Sequence, residues 1–144
     1  LTLSELQNAY VQKFGDKVLK LFLMNSKQFE NEELKGYRKN KDLIDFIITA
    51  NDFKMFIWSS NTRPNITKIL QELGILNKFK KIVSREDVRL LKPYAEGFDK
   101  LHGKNILKKE YLFIGDSKHD KVAADKAGVD FYLEDYFKVP EKYW

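Results

Sequence analysis

Apolar positions along the chain follow two rhythms. Where they recur three and four apart they predict helices. Thr2 or Ser4, then Glu5, precede Leu6, Tyr10, Val11 and Phe14, and Gly15 stops the run. A second helical stretch is expected from Lys17 to Met24, and the polar, mixed-charge segment Asn25 to Asn40 holds at most a short helix. Leu43, Ile44, Phe46, Ile47 and Ile48 give a further helix, which Asn51-Asp52 breaks. Ile66, Ile69, Leu70 and Leu73 lie between Pro64 and Gly74, residues that start and stop helices. Pro93 to His102 and Lys118 to Ala127, the latter stopped by Gly128, complete the helices. Short continuous apolar runs predict strands at Lys54 to Trp58, Lys81 to Ser84, Tyr111 to Ile114 and Asp130 to Leu133. Runs of this kind suit strands covered on both faces.

Strands that alternate with helices require crossover connections, hence parallel pairing. The expected architecture is α/β, an open, doubly wound parallel sheet over residues 39–144. Residues 1–38 form a small helical subregion ahead of it. No internal repeat, low-complexity run or long linker interrupts the pattern.

Composition narrows the functions. A chain of 144 residues, 43% hydrophobic and 14% aromatic, is globular and has room for one ordinary domain. Lys and Arg number 26 against 21 Asp and Glu, an excess of +5 too diffuse to call for a nucleic-acid partner. The basic strip Lys78, Lys80, Lys81, Arg85, Arg89 and Lys92 comes without a stacking motif and reads as a solvated face. With no Cys there is neither a disulfide framework nor a thiolate metal site. No apolar run approaches the ~20 residues of a membrane span, so no membrane partner and a cytoplasmic location are expected. The first residue is Leu rather than Met, from which a native start further upstream is expected.

In open α/β sheets ligands bind beyond the carboxyl ends of the strands. The first strand delivers Ser59, Ser60, Asn61 and Thr62 there, the second leads through Ser84 to Lys92-Pro93, and the third delivers Gly115-Asp116-Ser117 with Asp120 beyond. Ser59, Ser60 and Asn61 read either as an ordinary helix cap and turn or as hydroxyl and amide donors for a phosphate at a helix start. Lys92 gains meaning only from those neighbours. Asp116 and Asp120, four apart after a buried strand, repel each other unless a positive charge lies between them, and a hard cation such as Mg²⁺ held through oxygens supplies it. The plain alternative makes Asp116 a turn residue and Asp120 a cap. His119, inside that loop, reads as a surface residue, His102 as a partner of its own helix C-terminus, and Tyr10, Phe14, Phe22 and Phe29 as core packing.

The order Ser59 to Asn61, Lys92-Pro93, Gly115-Asp116-Ser117-x-x-Asp120 and Ala123-Ala124-x-x-Ala127-Gly128 resembles the haloacid dehalogenase (HAD) superfamily over residues 40 to 135. The resemblance implies a Rossmann-like core of that type, with residues 1–38 as a small helical cap. It implies that Ser59, or Ser60 by register, hydrogen-bonds a transferring phosphoryl group, that Lys92 neutralises its oxygens, and that Asp116 and Asp120 hold Mg²⁺. The paired acids favour the phosphatase branch over metal-free dehalogenation. The implied activity is hydrolysis of a small phosphorylated metabolite through an aspartyl-phosphate.

The family's nucleophile lies in an Asp-x-Asp-x-Thr or Asp-x-Asp-x-Val motif on a central strand, and these 144 residues contain no such motif. Glu32-Glu33 and Glu134-Asp135 have neither the spacing nor a strand before them. The chain by itself is therefore expected to be inactive. Either a strand with the two acids lies upstream of Leu1, or the protein is a non-catalytic phosphate- or Mg²⁺-binding module. A sheet lacking its middle strand exposes two unpaired edges, which a homodimer or a partner strand would repair.

Overall fold

A computed structural model describes residues 2–19 and 37–134. The expected helix beyond Leu19, Phe22, Phe29, Glu32-Glu33 and the aromatic residues Tyr136, Phe137, Tyr143 and Trp144 lie outside the described residues.

The first helix, α1, spans Leu3–Phe14. Thr2 caps it by accepting the Glu5 N–H while the Glu5 carboxylate accepts the Thr2 N–H, so two orphan donors are satisfied reciprocally. A 3₁₀ turn at Asp16–Val18 follows, where the sequence predicts the start of a second helix. Asn40 caps α2 (Lys41–Thr49) through the Leu43 N–H. Then come β1 (Met55–Trp58), α3 (Arg63–Glu72, with Pro64 in its first turn), β2 (Phe79–Val83), α4 (Glu96–Leu101), β3 (Leu112–Gly115), α5 (Lys118–Ala127) and β4 (Asp130–Leu133). The last helix and last strand have the predicted bounds. The strand predicted at Lys81 to Ser84 begins two residues earlier and stops at Val83, because Ser84 is taken by the turn Arg85–Asp87 that it caps. The helix predicted from Pro93 starts only at Glu96, whose carboxylate accepts the N–H groups of Arg89 and Leu90 and so holds the preceding loop.

The fold class is α/β with parallel strands, and the strands pair in two sets. β1 pairs with β2, Trp58 opposite Val83, and β3 pairs with β4, Gly115 opposite Leu133. Among the described residues no ladder joins β1 to β3. Side chains meet there instead: the rings of Trp58 and Phe113 stack at 4.9 Å, and Phe56 and Tyr111 lie 6.4 Å apart. All four β1 residues are half-buried, and among the described residues one long edge of the strand has no partner strand.

Successive β1 residues face opposite layers. Ile57, like Ile44 and Ile47 of α2, packs against the cluster of Ile66, Leu70 and Ile75. Trp58 faces the other way, against Phe98 of α4 and the cluster of Val83, Val88 and Leu91. Phe98 continues into Ala124 and Ala127 of α5, where small side chains let the helix approach Phe113 and Phe131. The pair β1–β2 is thus wrapped by helices on both faces, and the carboxyl ends of β1, β2 and β3 lead into the loops that hold the candidate residues.

Candidate active site

Ser59 continues the ladder one step past β1, its N–H donating to the Val83 carbonyl at 2.9 Å. The chain then turns: the Asn61 N–H donates to Ser59 Oγ at 3.1 Å, and the Asn61 carbonyl accepts from the Arg85 N–H at 2.9 Å. Thr62, 1% exposed, opens α3. The loops after β1 and β2 are therefore stitched together. Ser84 does not join the site, because its N–H and hydroxyl both donate to Asp87 Oδ2, which also pairs with Arg63. Burial pushes the Asp87 carboxyl up, but the bonds from Ser84 and the Arg63 charge outweigh it and hold the group below the usual carboxylate range.

Lys92 is the centre of the edge. Its side chain is 12% exposed, and Nζ lies 2.5 Å from Asp120 Oδ1 and 3.3 Å from the Trp58 carbonyl oxygen. The ammonium also stands 5.7 Å from the Trp58 ring centre and 5.4 Å from that of Phe113, within cation–π range. One cation thereby contacts the ends of both strand pairs.

Asp120 is buried and uses both oxygens. Oδ1 takes Lys92, while Oδ2 accepts the N–H groups of Asp116 and Ser117, each at 3.2 Å. Ser117 returns the favour by accepting the Asp120 N–H, a capping box that starts α5. Burial pushes the Asp120 carboxyl up, but the Lys92 charge and the bonds from Lys92 and Ser117 win, leaving it below the ordinary range. Gly115 makes the fold of this loop feasible, for a Cβ there would sit 2.7 Å from Asp120 Cβ and Oδ2. Asp116 is the opposite case. Its carboxylate is exposed and has no hydrogen bond or ion pair among the described residues.

Ser59, Lys92, Asp116 and Asp120 are thus brought to one edge, with Ser60 and Asn61 on the same turn as Ser59. The donor set fits a hard cation only in part. Asp116 offers a free carboxylate, Asp120 is already neutralised by Lys92, and the described residues contain no group of three or more His, Cys, Asp or Glu able to hold a metal. A shallow groove of about 420 Å³ lined by Arg63, Pro64, Thr67, Lys68, Gln71 and Glu86 shares no residue with this edge.

Two contacts escape sequence reading. His119 Nε2 lies 3.1 Å from Glu5 Oε1, tying α5 to α1. The Asn8 side chain bonds both backbone groups of Leu91, beside Lys92. Partners 83 residues apart leave no signal in local spacing. His102 reaches forward to the Ile106 carbonyl at 2.8 Å rather than back to its own helix. No helix among the described residues is long and apolar enough to cross a membrane.

The chain is similar to known proteins in sequence and in fold. Over 82 residues, 56% of the chain, the sequence is 33% identical to a phosphoglycolate phosphatase of Yersinia pseudotuberculosis, and the match spans 35% of that enzyme. The chain therefore corresponds to about a third of the length of this curated relative. The fold is similar to a hydrolase of Streptococcus pneumoniae, with a TM-score of 0.53 and 25% identity over 86% of this chain and 66% of that one. It is also similar to a HAD-superfamily hydrolase, subfamily IA, variant 1, of Geobacter sulfurreducens, with a TM-score of 0.56 and 23% identity over 65% and 47% of the two chains. Residues 2–133 match the haloacid dehalogenase-like hydrolases as a family, and the chain belongs to that family.

Proposed function

We propose that this chain forms the phosphoryl-binding half of a Mg²⁺-dependent phosphatase acting on a small phosphomonoester through an aspartyl-phosphate. The observation that carries the reading is the Lys92 ammonium, held between Asp120 and the Trp58 carbonyl beside the free carboxylate of Asp116. A buried, fixed cation costs no reorganisation when a phosphoryl dianion arrives, which is the condition for strong electrostatic stabilisation. Ser59 Oγ accepts from Asn61 and keeps its own hydrogen to donate to a phosphoryl oxygen, with Ser60 as the alternative donor and the Asn61 side chain beside it. Asp116 is the carboxylate available to Mg²⁺, with Asp120 behind it. Bound Mg²⁺ would supply charge neutralisation of the phosphoryl oxygens.

The nucleophile belongs to a strand outside these 144 residues. The edges of β1 and β3 that have no partner strand among the described residues are where such a strand would form its ladders, from the same polypeptide, a second copy or a partner. Its carboxylate oxygen attacks phosphorus, the ester oxygen leaves with a proton, and water then cleaves the acyl phosphate to release orthophosphate. A 2-carbon phosphorylated acid is the first substrate to try, given the similarity to a phosphoglycolate phosphatase.

A second reading, a phosphate-binding module without turnover, is favoured by one observation: no Asp-x-Asp occurs in the sequence. Hydrolysis of p-nitrophenyl phosphate and phosphoglycolate with Mg²⁺, by this chain and by a form extended upstream, separates the two. Turnover only in the extended form, lost in Asp116→Ala, is the expected result. No turnover in either, with orthophosphate still raising the melting temperature, would leave the binding module.

A further inference from the structure

We propose that Asn8 is a positioning residue for Lys92: through the Leu91 backbone, helix α1 sets where the Lys92 ammonium stands. The inference rests on the reading of Lys92 as the phosphoryl-binding cation, and the geometry behind it is independent of that reading.

Asn8 is 4% exposed and Leu91 2%. Asn8 Nδ2 donates to the Leu91 carbonyl at 3.0 Å, and the Leu91 N–H donates to Asn8 Oδ1 at 2.8 Å. One side-chain amide thus satisfies both polar backbone groups of one residue. Leu91 lies in a loop with no ladder of its own, and buried backbone groups without partners are costly. Its carbonyl also accepts the Tyr94 N–H at 3.1 Å, so the group that depends on Asn8 is the Leu91 N–H, and the loop keeps this path at no cost only while Asn8 Oδ1 accepts it. The next residue is Lys92, whose Nζ must span to Asp120 and to the Trp58 carbonyl.

The rest of α1 fits this assignment. Glu5, Asn8 and Gln12 follow one another on one helix face, at spacings of three and four. Glu5 meets His119, next to Asp120, and Gln12 Nε2 donates to the Tyr94 hydroxyl at 2.6 Å, two residues past Lys92. The helix therefore clasps the loop that brings the cation and the loop that brings its carboxylate. Of the three, only Asn8 bonds the backbone of these loops, and only Asn8 is buried. No other residue type supplies a donor and an acceptor at this reach: Asp lacks the donor, Leu lacks both, and Gln is one methylene too long.

The test uses the full 144-residue chain and two readouts. Acylation of Lys92 by a small amine-reactive ester, followed site by site by mass spectrometry, reports how firmly Nζ is held. Asn8→Leu is compared with Leu70→Ala, which weakens the separate core of Ile66, Leu70 and Ile75, at temperatures giving equal folded fractions. Lys92 is expected to react about tenfold faster in Asn8→Leu than in Leu70→Ala, as local release of the loop requires. Gln12→Leu, which loses only the Tyr94 bond, is expected to stay near the wild-type rate. Equal rates in Asn8→Leu and Leu70→Ala would overturn the proposal, because Asn8 would then serve stability alone. Should Asn8→Leu not fold, Asn8→Ala takes its place, which also leaves the Leu91 N–H without its acceptor, with the same criterion. Orthophosphate titration of the wild type is the second readout. A wild type that binds no orthophosphate would count against the phosphatase reading, while the acylation comparison still decides on Asn8.

Discussion

Lys92 Nζ lies 2.5 Å from Asp120 Oδ1, and this contact joins loops from two strand pairs that share no ladder. Both side chains are largely withdrawn from water, so neither charge is tolerable without the other. The pair therefore does two things at once: it locks the carboxyl edge, and it leaves the ammonium fixed where an anion would arrive.

Replacing Lys92 by Met exposes this dependence. At pH 7 the buried Asp120 charge is left uncompensated, and a loss of about 3 kcal/mol in urea unfolding is expected. Without the Lys92 charge and its bond the carboxyl takes up a proton at higher pH than in the wild type, so the loss shrinks as pH falls. The wild type behaves in the opposite way. Its Asp120 is held below the ordinary range, so the pair's stabilisation is complete above about pH 4 and is lost as pH falls through the folded value. Unfolding midpoints of the two proteins, measured from pH 7 down to pH 3, should converge; parallel curves would sink the assignment.

A methyl group at residue 115 tests how closely the loop is packed. In Gly115→Ala the new Cβ meets Asp120 at 2.7 Å, and backbone and side chain must both shift. A destabilisation of about 1–3 kcal/mol is expected. The carboxyl resonance of Asp120 should titrate at higher pH than in the wild type, because the shift loosens its bonds to Lys92 and to the N–H groups of Asp116 and Ser117. An unchanged titration would mean that the loop yields without moving the carboxylate.

The order of these elements was legible in the sequence because apolar periodicity and stop residues are local. Thr2, Asn40 and Ser117 cap the helices that begin beside them, and Gly15 and Gly128 end the helices that spacing predicts. The candidate residues Ser59, Lys92, Asp116 and Asp120 were legible for a related reason, since parallel strands deliver their following loops to one edge. What spacing does not encode is contact across the chain. Asn8 with Leu91, Glu5 with His119 and Trp58 with Gly97 are set by how the layers pack. The division into two strand pairs was foreshadowed by the missing central strand, but the stacking of Trp58 on Phe113 that bridges it was not.

Gln7 offers a test of polar burial. It is fully buried beside Asn8, yet among the described residues neither of its side-chain polar atoms has a hydrogen-bond partner. Desolvating an amide without compensation is unfavourable, and Gln7→Met, similar in volume, removes the penalty. A rise of about 1 kcal/mol in unfolding free energy is expected, read from chemical denaturation at pH 7. A fall would show that the amide contributes to the fold in a way these contacts do not account for.

Gly97 is fixed by the indole of Trp58. A Cβ there would lie 2.1 Å from Trp58 Nε1, and the ring is hemmed in by Phe113 on one side and by the Val83 and Leu91 cluster on the other. Gly97→Ala is expected to cost more than its helical propensity returns, a net loss of roughly 1–3 kcal/mol despite the ~1 kcal/mol that Ala gains over Gly in a helix. Near-ultraviolet circular dichroism should change with it, since the indole moves. Equal or higher stability would show that Trp58 has room to turn aside, and with it that the ring does not brace the end of β1.

Asp116 and Asp120 should separate cleanly by what each does for the fold. Asp120→Asn removes the partner of a buried ammonium and weakens the capping box of α5, so it is expected to lower stability by about 3 kcal/mol. Asp116→Asn removes an exposed carboxylate that bonds nothing among the described residues, and at the start of α5 it forfeits at most the helix-dipole attraction of about 0.3–1 kcal/mol. The check is a pair of melting curves for each variant, with and without millimolar Mg²⁺. Asp116→Asn should melt close to the wild type without Mg²⁺ and lose any shift that Mg²⁺ gives the wild type. If it melts several degrees lower instead, the carboxylate is a structural group and Asp116 is not the residue that meets the cation.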